Sequence, residues 1–309
     1  MASITAPTDR SAPHLADVSS RPNALQRVVN VWRYRELLVS LVRKELKVKY
    51  KNSVLGFVWS LLNPALYLVV FYVVFKYFLG AGLPNFAIFL LAGLLPWNLF
   101  GVALGAATGS IVQNPSLVTK VWFPREILPL ASIGAGLVHF VLQTIVLLGA
   151  LLIFRSAPSP TFMCLIPVAL LALVLFLAAM SVGLAAINVY ARDTQHLLEL
   201  VLLAWFWMTP IVYAYEMVAQ KSIGGVAVGN KLLLNPITGI VITFQRAIYN
   251  KVDVITKPNG VPTVTHVLPP HGILWYLAIL GITIVVSLVL LYGAFHIFGR
   301  LEDNFAEEI

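Results

Sequence analysis

The sequence predicts an all-α integral membrane protein with six transmembrane helices, an N-terminal amphipathic interface helix and a re-entrant hairpin between spans five and six. Of the 309 residues, 59% are hydrophobic and 11% are charged, whereas soluble domains carry about 25% charged residues. Several apolar stretches also reach the roughly 20 residues that a helix needs to cross a bilayer. Lipid must therefore cover much of the surface of this chain.

Six apolar stretches are long enough to span the hydrocarbon core. They are Phe57 to Leu79, Phe86 to Thr108, Ile127 to Phe154, Phe162 to Tyr190, Leu197 to Tyr215, and Ile273 to Phe298. A seventh stretch, Leu232 to Tyr249, is interrupted by Asn235, Pro236, Gly239, Gln245 and Arg246. Interrupted helices exist at membrane depth where protein or a water-filled cavity surrounds them. We therefore predict a re-entrant or interfacial hairpin there, which leaves both termini on one side.

Basic residues are concentrated before the first span, where ten of the 21 Lys and Arg residues lie. Because Lys and Arg are enriched in short cytoplasmic flanks, this bias predicts a cytoplasmic N-terminus and, with six spans, a cytoplasmic C-terminus. The long connection between spans five and six runs against the bias, with Lys221, Lys231, Arg246, Lys251 and Lys257. Segments of that length follow the charge rule poorly.

The chain before the first span divides into two segments. Residues 1–31 are polar, contain prolines and lack the apolar core of a signal peptide, so we predict a disordered cytoplasmic tail. Residues 32–51 predict an amphipathic helix, and residues 52–309 hold the six spans. The apolar side of the amphipathic helix has Tyr34, Leu37, Leu38, Leu41, Val42, Leu46 and Tyr50, and its basic side has Arg43, Lys44, Lys47 and Lys51. Such a helix is either a lipid anchor, which the pattern favours, or a docking surface for a cytosolic subunit.

The loop between spans two and three predicts a short helix bounded by prolines. Asn114 can cap a helix that begins at Pro115, and Pro124 ends it at or before Phe123. Its apolar side chains are Leu117, Val118, Val121 and Trp122. These side chains fit a cleft on a partner protein, but Trp122 and Phe123 equally fit a turn that rests on the membrane interface. The residues alone leave both interpretations open.

Four segments in order carry a resemblance to a known family. They are RKELKVKYKNSVLGFVWSLLNP from Arg43, VWFPREILP from Val121, LNPIT from Leu234 and FGRLEDNFA from Phe298. With these segments the chain resembles the permeases of ABC-2 polysaccharide exporters, which move lipid-linked O-antigen, teichoic acid, capsule or galactan. The resemblance implies the transmembrane subunit of an exporter that moves a polyprenyl-linked polysaccharide from the cytoplasm across the plasma (inner) membrane. The long tail and an added stretch at 257–262 suggest a mycobacterial-type galactan exporter as one candidate.

The resemblance also implies roles for particular residues. The interface helix, with Tyr34, Arg43, Lys44 and Lys47, would dock on a cytosolic ATPase subunit. The segment Asn114 to Phe123 would be the coupling helix that enters the ATPase cleft. The interrupted stretch, with Asn235, Pro236, Gly239 and Arg246, would form the outward gate hairpin. Two permeases would pair with two ATPases, which would bind the ATP and magnesium.

Other polar and aromatic residues have alternative interpretations. His139 and Gln143 lie four residues apart in span three and face either a channel or, as we expect, a neighbouring helix. The aromatic residues Trp59, Tyr67, Phe71, Trp97 and Trp205 suit packing or the interface, and are also candidates for a channel lining on which sugar rings slide.

Two other functions fit the sequence less well. An ion-coupled secondary transporter needs buried ionisable residues, and the spans hold only Lys76, His139, Glu199 and His296, with no acidic pair. A membrane-embedded glycolipid-modifying enzyme needs convergent acids and bases, which the scattered Glu216, Asp253, His266 and His271 do not supply, so no catalytic residue is predicted. The single Cys164 rules out a cysteine metal site, and nothing suggests nucleic-acid binding. No phosphate-binding GxxxxGK[ST] motif occurs, so ATP hydrolysis is expected in a partner.

Overall fold

The computed structural model describes residues 23–51, 53, 56, 58–74, 83–219, 221–223, 226–256 and 263–309, and these are mostly helical. The helices are α1 (Ala24–Arg33), α2 (Arg35–Tyr50), α3 (Val58–Val73), α4 (Phe86–Gly109), α5 (Pro115–Lys120), α6 (Ile127–Ile153), α7 (Pro160–Met163), α8 (Ile166–Tyr190), α9 (Thr194–Met208), α10 (Tyr215–Ala219), α11 (Val228–Leu233), α12 (Pro236–Ile248), α13 (Ile273–Leu301) and α14 (Phe305–Glu308). Residues 1–22 of the predicted tail, Lys76 and the added stretch 257–262 lie outside the described residues.

Two antiparallel strand pairs lie in the long connection between α10 and α13. Strand β1 (Ser222–Ile223) pairs with β2 (Val226–Ala227), and β3 (Asp253–Thr256) pairs with β4 (Thr263–His266). The register of the second pair places Asp253 opposite His266, whose Nδ1 lies 2.7 Å from Asp253 Oδ1. The scattered polar residues of this connection thus include one exposed cross-strand contact between a histidine and a carboxylate.

Among the described residues, four helices are long and apolar enough to cross a membrane. They are Phe86–Gly109 (α4), Ile127–Ile153 (α6), Pro160–Tyr190 (α7 with α8) and Ile273–Asn304 (α13 with the three residues after it). The helices predicted as spans one and five are shorter, since α3 has 16 residues and α9 has 15. At 1.5 Å per residue these reach about 22 to 24 Å, less than the roughly 30 Å of a hydrocarbon core. The count of six spans therefore stays a prediction.

The structure contains a helix, α1, where the sequence indicated a disordered tail. It begins at Ala24, and a turn at Tyr34 separates it from α2. The backbone N–H of Asn23 donates to Gln26 Oε1 at 2.8 Å, which satisfies one free amide group at the start of the helix. The helix was missed because the polar residues of this segment lower its average hydrophobicity, although its apolar residues recur at three- and four-residue steps. The tail prediction therefore concerns residues 1–22.

The core has two parts. The larger one surrounds α4, which is buried along most of its length and packs against α6, α8 and α12. A helix that is apolar on all sides requires such neighbours. The smaller part gathers Leu41, Val118, Phe123, Phe298 and Phe305. This second cluster joins α2, α5, the end of α13 and α14, so both terminal segments pack around the predicted coupling helix.

The predicted re-entrant stretch forms a helix–turn–helix, in which Leu234 and Asn235 connect α11 to α12. Helix α12 has 13 residues and is about 20 Å long, too short to cross a bilayer. Most of its side chains are buried against α4, α8 and α13. At its end Tyr249 Oη donates to the carbonyl oxygen of Pro84, just before α4, at 2.9 Å. Helix α12 therefore lies beside the N-terminal half of α4.

Candidate functional site

Helix α5 is a short helix held on a buried base. Val118 and Phe123 are buried in the smaller core cluster, and Leu117 is half-buried. Val121 and Trp122 lie between these anchors in the chain, yet they are 52% and 86% exposed. An exposed tryptophan on a fixed base is a candidate contact for a partner protein or for the membrane interface, the two alternatives that the sequence left open.

Helix α5 ends at Lys120, before Phe123 as predicted, and Val121 is extended, with φ −125° and ψ 133°. One detail of α5 differs from the sequence prediction. Asn114 precedes the helix, but its side chain does not cap it. Its Oδ1 instead accepts a hydrogen bond from Lys44 Nζ at 2.8 Å, and its Nδ2 donates to the carbonyl oxygen of Ser110 at 2.8 Å. The amide thus ties α5 to α2 and to the end of α4, an alternative that local sequence does not reveal.

Helix α2 packs its apolar side against α6 and exposes its cations. Leu41 is buried and Tyr34 is half-buried, whereas Arg43, Lys44 and Lys47 are exposed. Glu45 Oε1 accepts a hydrogen bond from Ser132 of α6 at 2.9 Å. Since α6 already covers the apolar side, this side is not free to lie in lipid. The exposed cations, with Lys44 bonded to Asn114, instead form a surface next to α5.

Close packing of α2 on α6 depends on Gly134. A methyl group at this position would lie 2.6 Å from Val42 Cγ2, well inside van der Waals contact. We expect Gly134→Ala to destabilise the protein by about 1–3 kcal/mol because it overpacks the contact. The measurement is thermal unfolding in detergent. The double variant Gly134→Ala/Val42→Ala should recover part of the loss, whereas equal instability of the two variants would contradict this assignment.

A buried arginine links α1 to the start of α6 and to the end of α13. Arg27 is 2% exposed, and its Nη1 lies 3.3 Å from Glu126 Oε1. Arg27 also forms an ion pair with Glu302. Arg125 donates to the carbonyl oxygen of Glu302. The partners of Arg27 are 99 and 275 residues away in the chain. The three side chains, Arg27, Glu126 and Glu302, are called the arginine latch below.

Electrostatics within the arginine latch depend on the pairing. Burial raises the pKa of the Glu126 carboxyl, and the charge of Arg27 opposes that shift. Burial by itself lowers the pKa of Arg27, but the hydrogen bonds and charges of Glu302 and Glu126 leave it above its ordinary value. Glu126 Oε2 is buried without a hydrogen-bond partner among the described residues. The carboxylate therefore relies on Arg27 for compensation.

A polar cavity of about 290 Å³ lies where α2, α3, α4 and α6 meet. Its polar lining includes Lys49, Tyr50, Ser53, Asn98, His139 and Gln143, and its aromatic lining includes Trp59. Tyr50 Oη lies 2.9 Å from His139 Nδ1, and Lys49 Nζ lies 3.3 Å from His139 Nε2. His139 and Gln143 thus contact neighbouring helices, as expected, and they also line a cavity. Such a set of polar groups beside apolar helices indicates a binding site or a pathway.

Comparison with known proteins identifies the family. The family described as ABC-2 type transporter matches residues 36–227, more than half of the chain. This chain belongs to that family. It is an integral membrane protein. An O-antigen export system permease protein RfbA of Myxococcus xanthus is 34% identical over 285 residues, which cover 92% of this chain and 100% of the relative.

More distant relatives match shorter parts of the chain. An O-antigen export system permease protein RfbA of Klebsiella pneumoniae is 29% identical over 229 residues, or 74% of this chain and 86% of the relative. A polysialic acid transport protein KpsM of Escherichia coli is 29% identical over 80 residues, or 25% of this chain and 31% of the relative. The ABC-2 match includes α2 and α5, and α1 precedes it.

The candidate aromatic residues of this ABC-2 protein fall into two groups. Trp97 is buried and Trp205 is half-buried, and both belong to a ring cluster with Phe100, Phe176 and Phe206. Their contacts are those of packing residues. Trp59 and Tyr67 are exposed, and Trp59 lines the polar cavity. Phe71 belongs to α3, but its side chain lies outside the described part of the chain.

The four residues assigned to the gate hairpin are spread along α12. Asn235 and Pro236 are at its start, Gly239 packs against Ile279 of α13, and Arg246 is in the last turn. The guanidinium carbon of Arg246 lies 4.4 Å from the ring centroid of Phe162, and its Nη1 donates to Asn250 at 3.1 Å. These residues do not form one cluster, because Asn235, Gly239 and Arg246 contact different parts of the fold.

Asn235 connects α12 to the end of α9. Its Oδ1 accepts hydrogen bonds from the Ile237 N–H at 3.1 Å and from Trp205 Nε1 at 2.9 Å, and its Nδ2 donates to Thr209 Oγ1 at 3.0 Å. The cap was predictable from the Asn-Pro pair, but the contacts to α9 were not. A change in the position of α9 would therefore act directly on the tip of the hairpin.

We expect Asn235→Ala to destabilise the protein by about 0.5–2 kcal/mol, because it removes a helix cap together with two contacts to α9. Asn235→Asp is the matched variant, since it retains an oxygen acceptor but not the donor to Thr209. Thermal unfolding of detergent-solubilised protein should rank the aspartate variant between wild type and the alanine variant. Equal stability of Asn235→Ala and wild type would contradict the assigned role.

Sequence reasoning missed several functional candidates. The arginine latch and the cavity residues Lys49 and Asn98 were not singled out, although Arg27 was counted as a topology signal. A buried ion pair leaves no local pattern, because its partners lie far apart in the chain. One signal did exist: Glu126 and Glu302 lie within two of the segments that resemble ABC-2 exporters.

Proposed function

We propose that this chain is the membrane subunit of an ATP-driven exporter for a polyprenyl-linked polysaccharide. Two copies, each with six spans and cytoplasmic termini, would assemble with two cytosolic ATPase subunits in the plasma membrane. The observation that carries the proposal is the exposed pair Val121 and Trp122 beside the buried anchors Val118 and Phe123. Similarity along 92% of the chain to an O-antigen export permease supports the same substrate class.

The geometry of α5 suits a mechanical contact. A force on Trp122 passes to Val118 and Phe123, which are packed against residues of α6, α8 and α13 in the smaller core cluster. Glu126 directly precedes α6 and belongs to the arginine latch. ATP-driven closure of the partner subunits would therefore push on α5 and tilt α6. The exposed cations of α2 would hold the ATPase subunit beside it.

The exposed side of α9 supports a second copy of the chain. Leu198 is its buried residue, whereas its large exposed apolar side chains are Leu197, Leu200, Val201, Leu203, Trp207 and Met208. Leu234, at the tip of the hairpin, is also exposed. In a homodimer these surfaces would enclose a central pathway, and the α11–α12 hairpin, bonded to α9 through Asn235, would act as its outward gate.

The polar cavity suits the sugar part of the substrate. The amides of Asn98 and Gln143 and the hydroxyl of Tyr50 can exchange hydrogen bonds with sugar hydroxyls, and Trp59 offers an aromatic face. These weak, replaceable contacts would allow a polymer to move without tight binding.

The test is co-purification followed by reconstitution. The tagged chain should retain an ATPase subunit, and vesicles with both proteins should move a lipid-linked glycan only when ATP is supplied. A matched control uses an ATPase subunit whose nucleotide site is inactivated. Transport of the glycan by the permease alone would contradict the proposal.

A further inference from the structure

Helix α1 has its arginine inside and its apolar side chains outside. Arg27 is buried in the arginine latch, whereas Leu25, Val28, Val29 and Trp32 are between 51% and 81% exposed. These four residues follow the i, i+3, i+4, i+7 spacing that puts them on one side of a helix. They form a continuous apolar stripe, called the α1 stripe below, without a counterpart among the described residues.

The α1 stripe lies near the exposed side of α13. A groove of about 580 Å³ between the two helices is lined by Leu25, Tyr292, His296 and Arg300. Tyr292 is exposed on α13, as are the apolar residues of the turns before it, Val285, Leu288 and Val289. Since α13 is long and apolar enough to span a membrane, this exposed side is suited to contact with lipid. Tyrosine and arginine near the end of a span are typical of the membrane interface.

We propose that α1 lies flat in the cytoplasmic leaflet, with the α1 stripe among the acyl chains. Arg33 and Arg35 follow the stripe directly and are exposed, so their guanidinium groups can reach lipid phosphates. The guanidinium carbon of Arg35 lies 5.9 Å from the ring centroid of Trp32, which places cation and indole together as at a headgroup boundary. The occupant of this surface is the bilayer, because the stripe continues the lipid-facing side of α13.

The arginine latch gives this placement a mechanical consequence. Arg27 joins α1 to Glu126, three residues after Phe123, and to Glu302 at the end of α13. A helix held in the leaflet is therefore attached to the bend between α5 and α6. This consequence rests on the proposed function: if a partner pushes on α5, the bend would move against a point that is fixed relative to the membrane surface.

Spin labels test the placement. Cys164 is the only cysteine, so Cys164→Ser gives a background for the variants Leu25→Cys, Val29→Cys and Gln26→Cys, the last on the polar side of α1. The full chain is reconstituted in phosphatidylcholine–phosphatidylglycerol vesicles without an ATPase. We expect the ratio of oxygen to nickel-chelate collision rates to be several-fold higher at residues 25 and 29 than at residue 26. Equal access of the nickel chelate to all three labels would overturn the proposal.

Two protein occupants are tested with the same labels. Measurements are repeated after addition of the ATPase subunit and in a chain that begins at Asn23. Unchanged protection of residues 25 and 29 under both conditions supports contact with lipid. Protection that appears only with the ATPase subunit, or disappears when residues 1–22 are removed, would assign the α1 stripe to a protein contact and overturn the proposal.

Discussion

Replacing Val121 by Ser and Trp122 by Ala in one variant should lower ATP-dependent export about tenfold or more, while ATP hydrolysis continues. Buried interface tryptophans commonly contribute about 2 kcal/mol or more, and about 1.4 kcal/mol corresponds to a factor of ten. Both side chains are exposed in the free chain, so their removal leaves the core intact. The measurement compares glycan transport with phosphate release in vesicles that contain both subunits.

The control for this variant removes comparable apolar surface elsewhere. Leu152 and Ile153 are also exposed, at the opposite end of α6, and Leu152→Ala/Ile153→Ala should transport normally. Val118→Asp should instead destabilise the chain, because Val118 is buried in the smaller core cluster. Normal export by the Val121→Ser/Trp122→Ala variant would remove the coupling role of α5.

Replacing Arg27 by Met should destabilise the folded protein by about 3–5 kcal/mol, the range for breaking a buried ion pair on one side. The substitution retains much of the volume but leaves Glu126 buried without a compensating charge, with Glu126 Oε2 already unpaired among the described residues. The loss of stability is measured by unfolding the detergent-solubilised protein, either with heat or with increasing denaturant.

Two companion variants separate charge compensation from general damage. Arg33→Met removes an exposed cation from the same helix and should change stability by less than about 0.5 kcal/mol. The double variant Arg27→Met/Glu126→Gln removes both charges and should recover part of the lost stability, since the uncompensated carboxylate is gone. If Arg27→Met were as stable as Arg33→Met, the arginine latch would not contribute to folding.

Much of the fold followed from local features of the sequence. Prolines at positions 115 and 124 predicted a short helix between two long apolar ones, and the structure contains α5 at Pro115–Lys120. Asn235 and Pro236 indicated an interruption of the stretch Leu232 to Tyr249, and the structure places the start of α12 there, where the Asn235 side chain accepts from the Ile237 N–H. Both signals act within three residues, so they can be read without knowledge of the packing.

Other assignments changed because they depended on neighbours. The amphipathic pattern of residues 32–51 fitted a lipid anchor, but α6 covers the apolar side of α2. The exposed stripe belongs to α1, which the sequence placed in a tail. Asn114, suited to cap α5, is bonded through its side chain to Lys44 and Ser110. In each case the competing partner comes from a different part of the fold.

The sequence by itself determined the membrane class, the long apolar helices, the proline-bounded helix and the resemblance to the ABC-2 family. These properties depend on composition, helical periodicity and backbone restrictions within a few residues. Only the tertiary structure decided which side of each amphipathic helix is covered, that Val121 and Trp122 remain exposed, and that Arg27 meets Glu126 and Glu302. Those outcomes require residues 99 and 275 positions apart to meet, and such contacts are determined by how whole helices pack.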